Sequence, residues 1–284
     1  MSTPNPRLPI SFEFFPPNTE EGEDRLAATR ARLAVQRPAF FSVTYGAGGA
    51  TRDKTLRTVS RIHAEGHAVA PHLSCIGATR GSIAELLDHY RSMGIRRLVA
   101  LRGDLPSGMV DGGDFRYAND LVAFVRAHSG DTFRIEVAAY PEIHPQAASP
   151  ASDLEALVAK QAAGANSAIT QYFFNVDAFL WFRDSALGAG ISMPIVPGIM
   201  PITNFRQLAR FSDACGAEIP RWIRLRLAAL GDDLDSIRRF GAEVVADQCR
   251  RLVAEGVPAL HFYTMNQAEP TLELLRAVGA SQPA

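Results

Sequence analysis

The sequence predicts a closed (β/α)₈ barrel, a TIM barrel of the α/β class with extra helices before its last strand. Two observations carry this. Eight short apolar runs rich in β-branched and aromatic residues alternate with segments of helical period from one end of the 284 residues to the other. No composition break, Pro/Ser-rich linker or long charge run divides them. Strands separated by helices are parallel, and eight such units in one series close into a barrel, here one domain over residues 1–284. A doubly wound open sheet is the runner-up.

The first run, Ile10–Phe15, precedes a helix over Glu20–Val35. Ala39–Tyr45 is followed by Arg52–Glu65, Ala68–Ser74 by Arg80–Met93, and Arg97–Arg102 by Tyr117–His128. Arg134–Tyr140 leads to Ser152–Ala163, Ser167–Tyr172 to Val176–Ala189, and Pro194–Ile199 to Asn204–Cys215. The stretch between Ile199 and Ala259 is long enough for extra helices, Leu234–Glu255 among them, before the last run Ala259–Thr264 and its helix Pro270–Val278. Gly94, Gly164 and Gly256 follow helical segments and can take the positive φ of a C-terminal cap.

A hydrophobic fraction of 47% with 21% charged residues belongs to a chain that buries a core, which excludes disordered, collagen-like and membrane classes. The net charge of −1 is interspersed, with no basic stripe to meet a nucleic acid backbone. Lys54 and Lys160 are the only lysines, so few amines could form a Schiff base. Cys75, Cys215 and Cys249 show no CxxC spacing, which argues against disulfides and thiolate metal sites and fits a cytoplasmic setting. Neither a signal peptide nor an 18-residue apolar stretch occurs, and neither does a GxGxxG or P-loop motif.

In a barrel the C-terminal strand ends converge on one mouth. Those ends supply Glu13, Thr44, Tyr45, His72, Arg102 to Asp104, Tyr140, His144, Gln171, the turn Pro197–Pro201, His261 and Tyr263. Glu13 alternates with aromatics, so its carboxyl points inward, where burial raises its pKa and suits a general acid; a structural pairing with Arg is the alternative. The glycines at 46, 48 and 49 end a strand and can expose N–H groups to an anion, or form only a tight turn. Arg102 and Asp104 either shape their loop as a salt bridge or meet a phosphate and a cofactor ring. His63 and His67 stand four apart with no third ligand, so no metal site is expected. Phe173, Phe174, Phe179, Trp181 and Phe182 read as packing between barrel and helix. Phe205 and Phe211 lie six apart on one helix, which leaves one of them free to stack on a planar ligand.

Taken together, FEFFPP (12–17), VTYGAGG (43–49), APHLSCI (70–76), VALRGD (99–104), AAYPEIHP (138–145), GANSAITQYFF (164–174), PGIMPITNF (197–205) and HFYTMNQAE (261–269) closely resemble the methylenetetrahydrofolate reductase family, in its bacterial single-domain type. The motifs span nearly the whole chain in the family's order. The resemblance implies a catalytic barrel holding non-covalent FAD in the one-carbon metabolism that feeds methionine biosynthesis. Hydride passes from NAD(P)H to the flavin and then to the folate, in ping-pong fashion. It makes Glu13 the general acid that helps open the imidazolidine ring, and gives Asp104 the tuning of the flavin. Gln171 orients folate, Phe211 stacks on either substrate beside Gln207, and Tyr263 joins these substrate-binding positions. The flavin contacts implied are Thr44, Tyr45, Ala47, His72, Arg102, Gly103, Asp104, Tyr117, Ala118, Ala138, Tyr140, His144, Asp153 and Lys160. Arg102 and Lys160 fit neutralisation of its pyrophosphate. Gln267 stands where many bacterial members carry Arg, which removes a cation that could meet a substrate carboxylate. Family habit implies a cytoplasmic homo-oligomer.

Other chemistries remain compatible with the fold. A flavin-independent folate reductase would transfer hydride directly from nicotinamide. A lyase or aldolase is disfavoured by the lack of a strand-end lysine, and a non-catalytic ligand-binding barrel by the joint presence of Glu13, Asp104 and Gln171.

Overall fold

The structure, a computed structural model, describes residues 8–45, 49–103 and 113–279. Eight parallel strands close in chain order into a barrel. They are β1 (Ile10–Phe14), β2 (Phe40–Val43), β3 (Val69–Ser74), β4 (Arg97–Leu101), β5 (Arg134–Ala139), β6 (Ser167–Tyr172), β7 (Ile195–Ile199) and β8 (Leu260–Tyr263). Each lies within two residues of its expected place. The ring is sealed where β8 pairs with β1, Tyr263 opposite Glu13.

The helices are α1 (Glu20–Ala34), α2 (Gly49–Ala64), α3 (Arg80–Ser92), α4 (Ala118–Ser129), α5 (Pro150–Ala162), α6 (Val176–Gly188), α7 (Phe205–Cys215), α8 (Arg221–Ala229), α9 (Leu234–Ala254) and α10 (Glu269–Ala277). Three of them fill the stretch before β8, as its length predicts. No periodic stripe announces α8, which buries only Ile223 and Leu227, while Trp222 and Leu225 face outward and blur the period.

Strand alternation divides the apolar residues between two cores. Phe12, Phe14, Phe41 and Phe262 point outward beneath the helices, whereas Phe40, Ala70, Val99 and Ile169 fill the barrel's interior. Phe173, Phe174, Phe179 and Phe182 are buried as expected. Trp181 is not, and stands 65% exposed. The inward stripe of α6 runs through Val176, Phe179, Phe182 and Ala186, and residue 181 falls about 200° around the helix from Phe179.

Candidate active site

Above the interior core, the C-terminal mouth opens into a cavity of about 430 Å³. Glu13, Thr44, Tyr45, His72, Ala138, Tyr140, Gln171, Phe211 and Tyr263 all line it, so β1, β2, β3, β5, β6, β8 and α7 each bring an expected residue to one place. Asn266 joins two of the motifs, since its amide accepts from Phe15 N–H at 3.1 Å and donates to Phe15 C=O at 2.9 Å.

Glu13 points inward between two histidines. Its Oε2 lies 3.2 Å from His72 Nε2 and 3.4 Å from His261 Nε2, and Ser42 Oγ donates to it at 3.4 Å. His261 in turn shares a 2.7 Å hydrogen bond between Nδ1 and Ser11 Oγ. His72 and His261 lie within their strands rather than at the ends, and His261 is fully buried, so they form a polar layer with Glu13. The expectation of a raised Glu13 pKa is corrected here. Burial does push the carboxyl up, but the charge of His72 and the hydrogen bonds from both histidines together outweigh it and hold the group down at about 2. Glu13 is thus an ionised carboxylate paired with histidines, and among the described residues no arginine forms an ion pair with it.

Outside the lining, two cations come together behind Ala138. Lys160 Nζ reaches from α5 to the C=O of Ala138 at 2.9 Å. Burial pulls its pKa down to about 8, a fall opposed by Asp153 and deepened by the charge of Arg102. Arg102 donates to Gly103 C=O and to Gln146 Oε1. Gly103 holds φ at 87°, and a Cβ there would run into Ser74 Oγ and stand 2.9 Å from Ile76 Cγ2, so only glycine fits. Asp153 accepts from His144 N–H at 2.8 Å, and the His144 ring packs edge-on against Tyr140 with centroids 4.6 Å apart. Tyr117 caps α4 with its ring 52% exposed, beside the buried Ala118. Asp104 and Ala47 lie outside the described residues.

Opposite, Gln171 spends its carbonyl on Tyr172 N–H at 3.0 Å, so what it offers a ligand is the amide NH₂. Tyr263 donates to Thr170 C=O at 2.7 Å, leaving its ring toward the cavity. Phe211 lines the cavity and Phe205 does not, although both pack partly buried against the core. Gln207 sits exposed one turn before Phe211 and outside the cavity lining. Gln267 lies in a neighbouring cavity of about 900 Å³ together with Arg238 and Arg239 of α9. Met200 of the Pro197–Pro201 turn lines the cavity as expected, while Ser42 and Cys215 also reach the site and no motif chemistry marked them. Among the described residues no group of three or more His, Cys, Asp or Glu could hold a metal ion, and no helix is long and apolar enough to cross a membrane.

The family model for methylenetetrahydrofolate reductase matches residues 3–279. The 5,10-methylenetetrahydrofolate reductase of Salmonella typhimurium is 43% identical over 274 residues, covering 96% of this chain and 91% of that protein, and the one from Escherichia coli gives the same figures. Methylenetetrahydrofolate reductase (NADH) 1 of Zea mays is 37% identical over 96% of this chain but 48% of its own length. Among solved structures, an uncharacterized protein from Clostridium thermocellum that binds two copies of 5-methyl-5,6,7,8-tetrahydrofolic acid superposes with a TM-score of 0.64. Its identity is 16%, over 96% of this chain and 94% of that one, which shows a shared barrel.

Proposed function

The chain belongs to the methylenetetrahydrofolate reductase family, an enzyme family of folate reduction, and we propose that it acts through non-covalently bound FAD. In this reading a single catalytic barrel over residues 1–284 reduces 5,10-methylenetetrahydrofolate to 5-methyltetrahydrofolate with NAD(P)H, the two substrates taking turns. A cytoplasmic homo-oligomer belongs to the same reading.

The observation that carries the flavin is the pair of neighbouring cations, Arg102 and Lys160. Two positive charges press on each other behind Ala138, which lines the cavity, and one of them is held down by burial. A diphosphate would relieve both. The exposed Tyr117 offers a face for an adenine. These residues fit FAD. Thr44, Tyr45, His72, Ala138 and Tyr140 would border its ring system, with His144 and Asp153 fixing the turn beside it. When bound, FAD supplies a hydride acceptor and donor that serves NAD(P)H and the folate in turn.

The protein's own residues do the rest. Phe211 and Tyr263 supply aromatic faces for a pterin or nicotinamide, and the Gln171 amide orients the folate. Glu13 stands 3.2 Å from His72 and 3.4 Å from His261, so proton delivery to the folate's ring nitrogen would belong to this cluster rather than to the carboxyl alone. The apolar lining from Val99, Leu101, Ile169 and Met200 keeps water from the reacting carbon.

The test is the visible spectrum of the purified protein, followed anaerobically through addition of NADH and then methylenetetrahydrofolate. Bleaching on the first addition and recovery on the second are expected. A colourless protein that FAD does not reconstitute would overturn the flavin assignment.

A further inference from the structure

Glu142 lies in the turn between β5 and α5, two residues past Tyr140, and nothing in the reaction outlined above uses it. Its Oε2 accepts the backbone N–H of Glu218 at 2.8 Å, just beyond the end of α7. Its Oε1 is buried and takes no hydrogen bond. A second contact seals the same seam. Gly216, the left-handed cap of α7 at φ 76°, presses so closely on the turn that a Cβ would stand 2.9 Å from Pro145 Cγ. The turn also holds Ile143 at φ 68°, a costly conformation for a β-branched residue that the surrounding contacts must enforce. Between turn and helix is a void of about 10 Å³, walled in part by Glu142, Gln171, Tyr172 and Cys215.

We propose that Glu142 is a positioning residue whose buried carboxyl clamps the end of α7 to the β5–α5 turn. The clamp holds Phe211, Ala214 and Cys215 against the substrate cavity and ties that wall to Tyr140 and His144 on the flavin side. The inference deepens the proposed reductase, and its kinetic arm rests on that reading.

Burial pushes the Glu142 carboxyl up to about 7; the Glu218 N–H opposes this and the Glu218 carboxylate adds to it. The other titratable groups around it are Tyr172 on β6, Cys215 on α7, and Tyr140 and His144 on its own turn. Tyr172 is itself held well above its usual range by burial, so it stays neutral. Ionised, Glu142 would be a half-buried anion with one donor, facing a second carboxylate. A group with a raised pKa in the closed state favours that state most fully below its ordinary value near 4.5, and this support is lost as pH rises to about 7.

Hydrogen–deuterium exchange of amides 211–218 in the full chain, corrected for intrinsic rates, reads the clamp without any turnover. Between pH 5.5 and 7.5, protection is expected to fall at least about tenfold in the unsubstituted protein and to stay nearly flat in Glu142→Gln, which keeps an acceptor without a charge. The KM for methylenetetrahydrofolate is expected to rise over the same interval, with kcat unchanged, and to stay flat in the Gln variant. Glu142→Ala is expected to lose protection at both pH values. Identical pH dependence in the unsubstituted protein and Glu142→Gln would overturn the proposal. An exchange difference in a protein without flavin-linked turnover would sink the reductase reading and leave the clamp standing.

Discussion

The Tyr263 ring packs against Gly198, so that a Cβ on the glycine would stand 2.5 Å from Tyr263 Cε2 and would also run into Thr170 C=O. The Tyr263 hydroxyl donates to that same carbonyl at 2.7 Å. A strand without a side chain at this point is therefore what lets an aromatic from the next strand lie flat at the mouth. Gly198→Ala is expected to cost about 1–3 kcal/mol, because the obstructing atom is backbone and cannot swing away. Thermal melting should show a midpoint lower by roughly 2–4 °C for each kcal/mol. The KM for folate should rise as Tyr263 is displaced, and an unaltered midpoint would mean that β7 shifts without cost.

Glu13→Gln keeps the size of the side chain and removes its proton chemistry. Turnover is expected to fall by roughly 10²–10⁴, with the visible chromophore retained, and steady-state assays beside absorbance spectra separate the two effects. The same substitution has a stability signature. Because His72 and His261 hold the folded-state pKa of Glu13 at about 2 against 4.5, the carboxylate contributes stability above pH 4.5 that is lost as pH falls toward 2. That contribution is at most about 3 kcal/mol, so Glu13→Gln should flatten the acid limb of a melting-temperature profile.

Lys160 makes the flavin assignment testable by pH. Burial, deepened by the Arg102 charge, brings its pKa down to about 8 in the protein without an anion. A bound diphosphate would favour the charged form, so affinity for FAD should be constant below pH 8 and weaken as pH rises above it. Lys160→Met is expected to bind FAD at least about tenfold more weakly at pH 7, about 1.4 kcal/mol, with this pH dependence gone. Quenching of FAD fluorescence on titration measures both. Equal affinities would place the pyrophosphate elsewhere.

The alternation of residues 10–15 told that Glu13 faces the barrel's interior, but not what it meets there. Its neighbours are set by register across the β8–β1 seam and by the height of His72 in β3, and neither is a local property of the sequence. The charge on the carboxyl therefore came out opposite to expectation while its position came out right. Strand ends were legible because polar residues interrupt apolar runs. The short α8 was not, since two buried residues make no periodic stripe. The close fit of Gly198 against Tyr263 adds a packing contact to the β7–β8 pairing, and a glycine in a turn motif gives no hint of which ring it accommodates.

The strand that brings Ala138 to the mouth also carries Glu136 toward the opposite end of the barrel. There Glu136, 2% exposed, pairs with both Arg97 and Arg134, and the Arg97 guanidinium sits 4.4 Å from the centre of the Phe40 ring. Glu136→Ala would leave two guanidinium groups without their shared counter-charge at the base of the interior core. A loss of about 1–3 kcal/mol is expected, less than for a fully buried pair because both guanidinium groups keep contact with solvent. Because residues at this face support the fold while chemistry sits at the other, the KM and kcat of the folded fraction should be unchanged. Urea denaturation with activity scored per folded molecule distinguishes the two effects. A variant of normal stability with altered kinetics would mean that the two ends of β5 are coupled through the barrel.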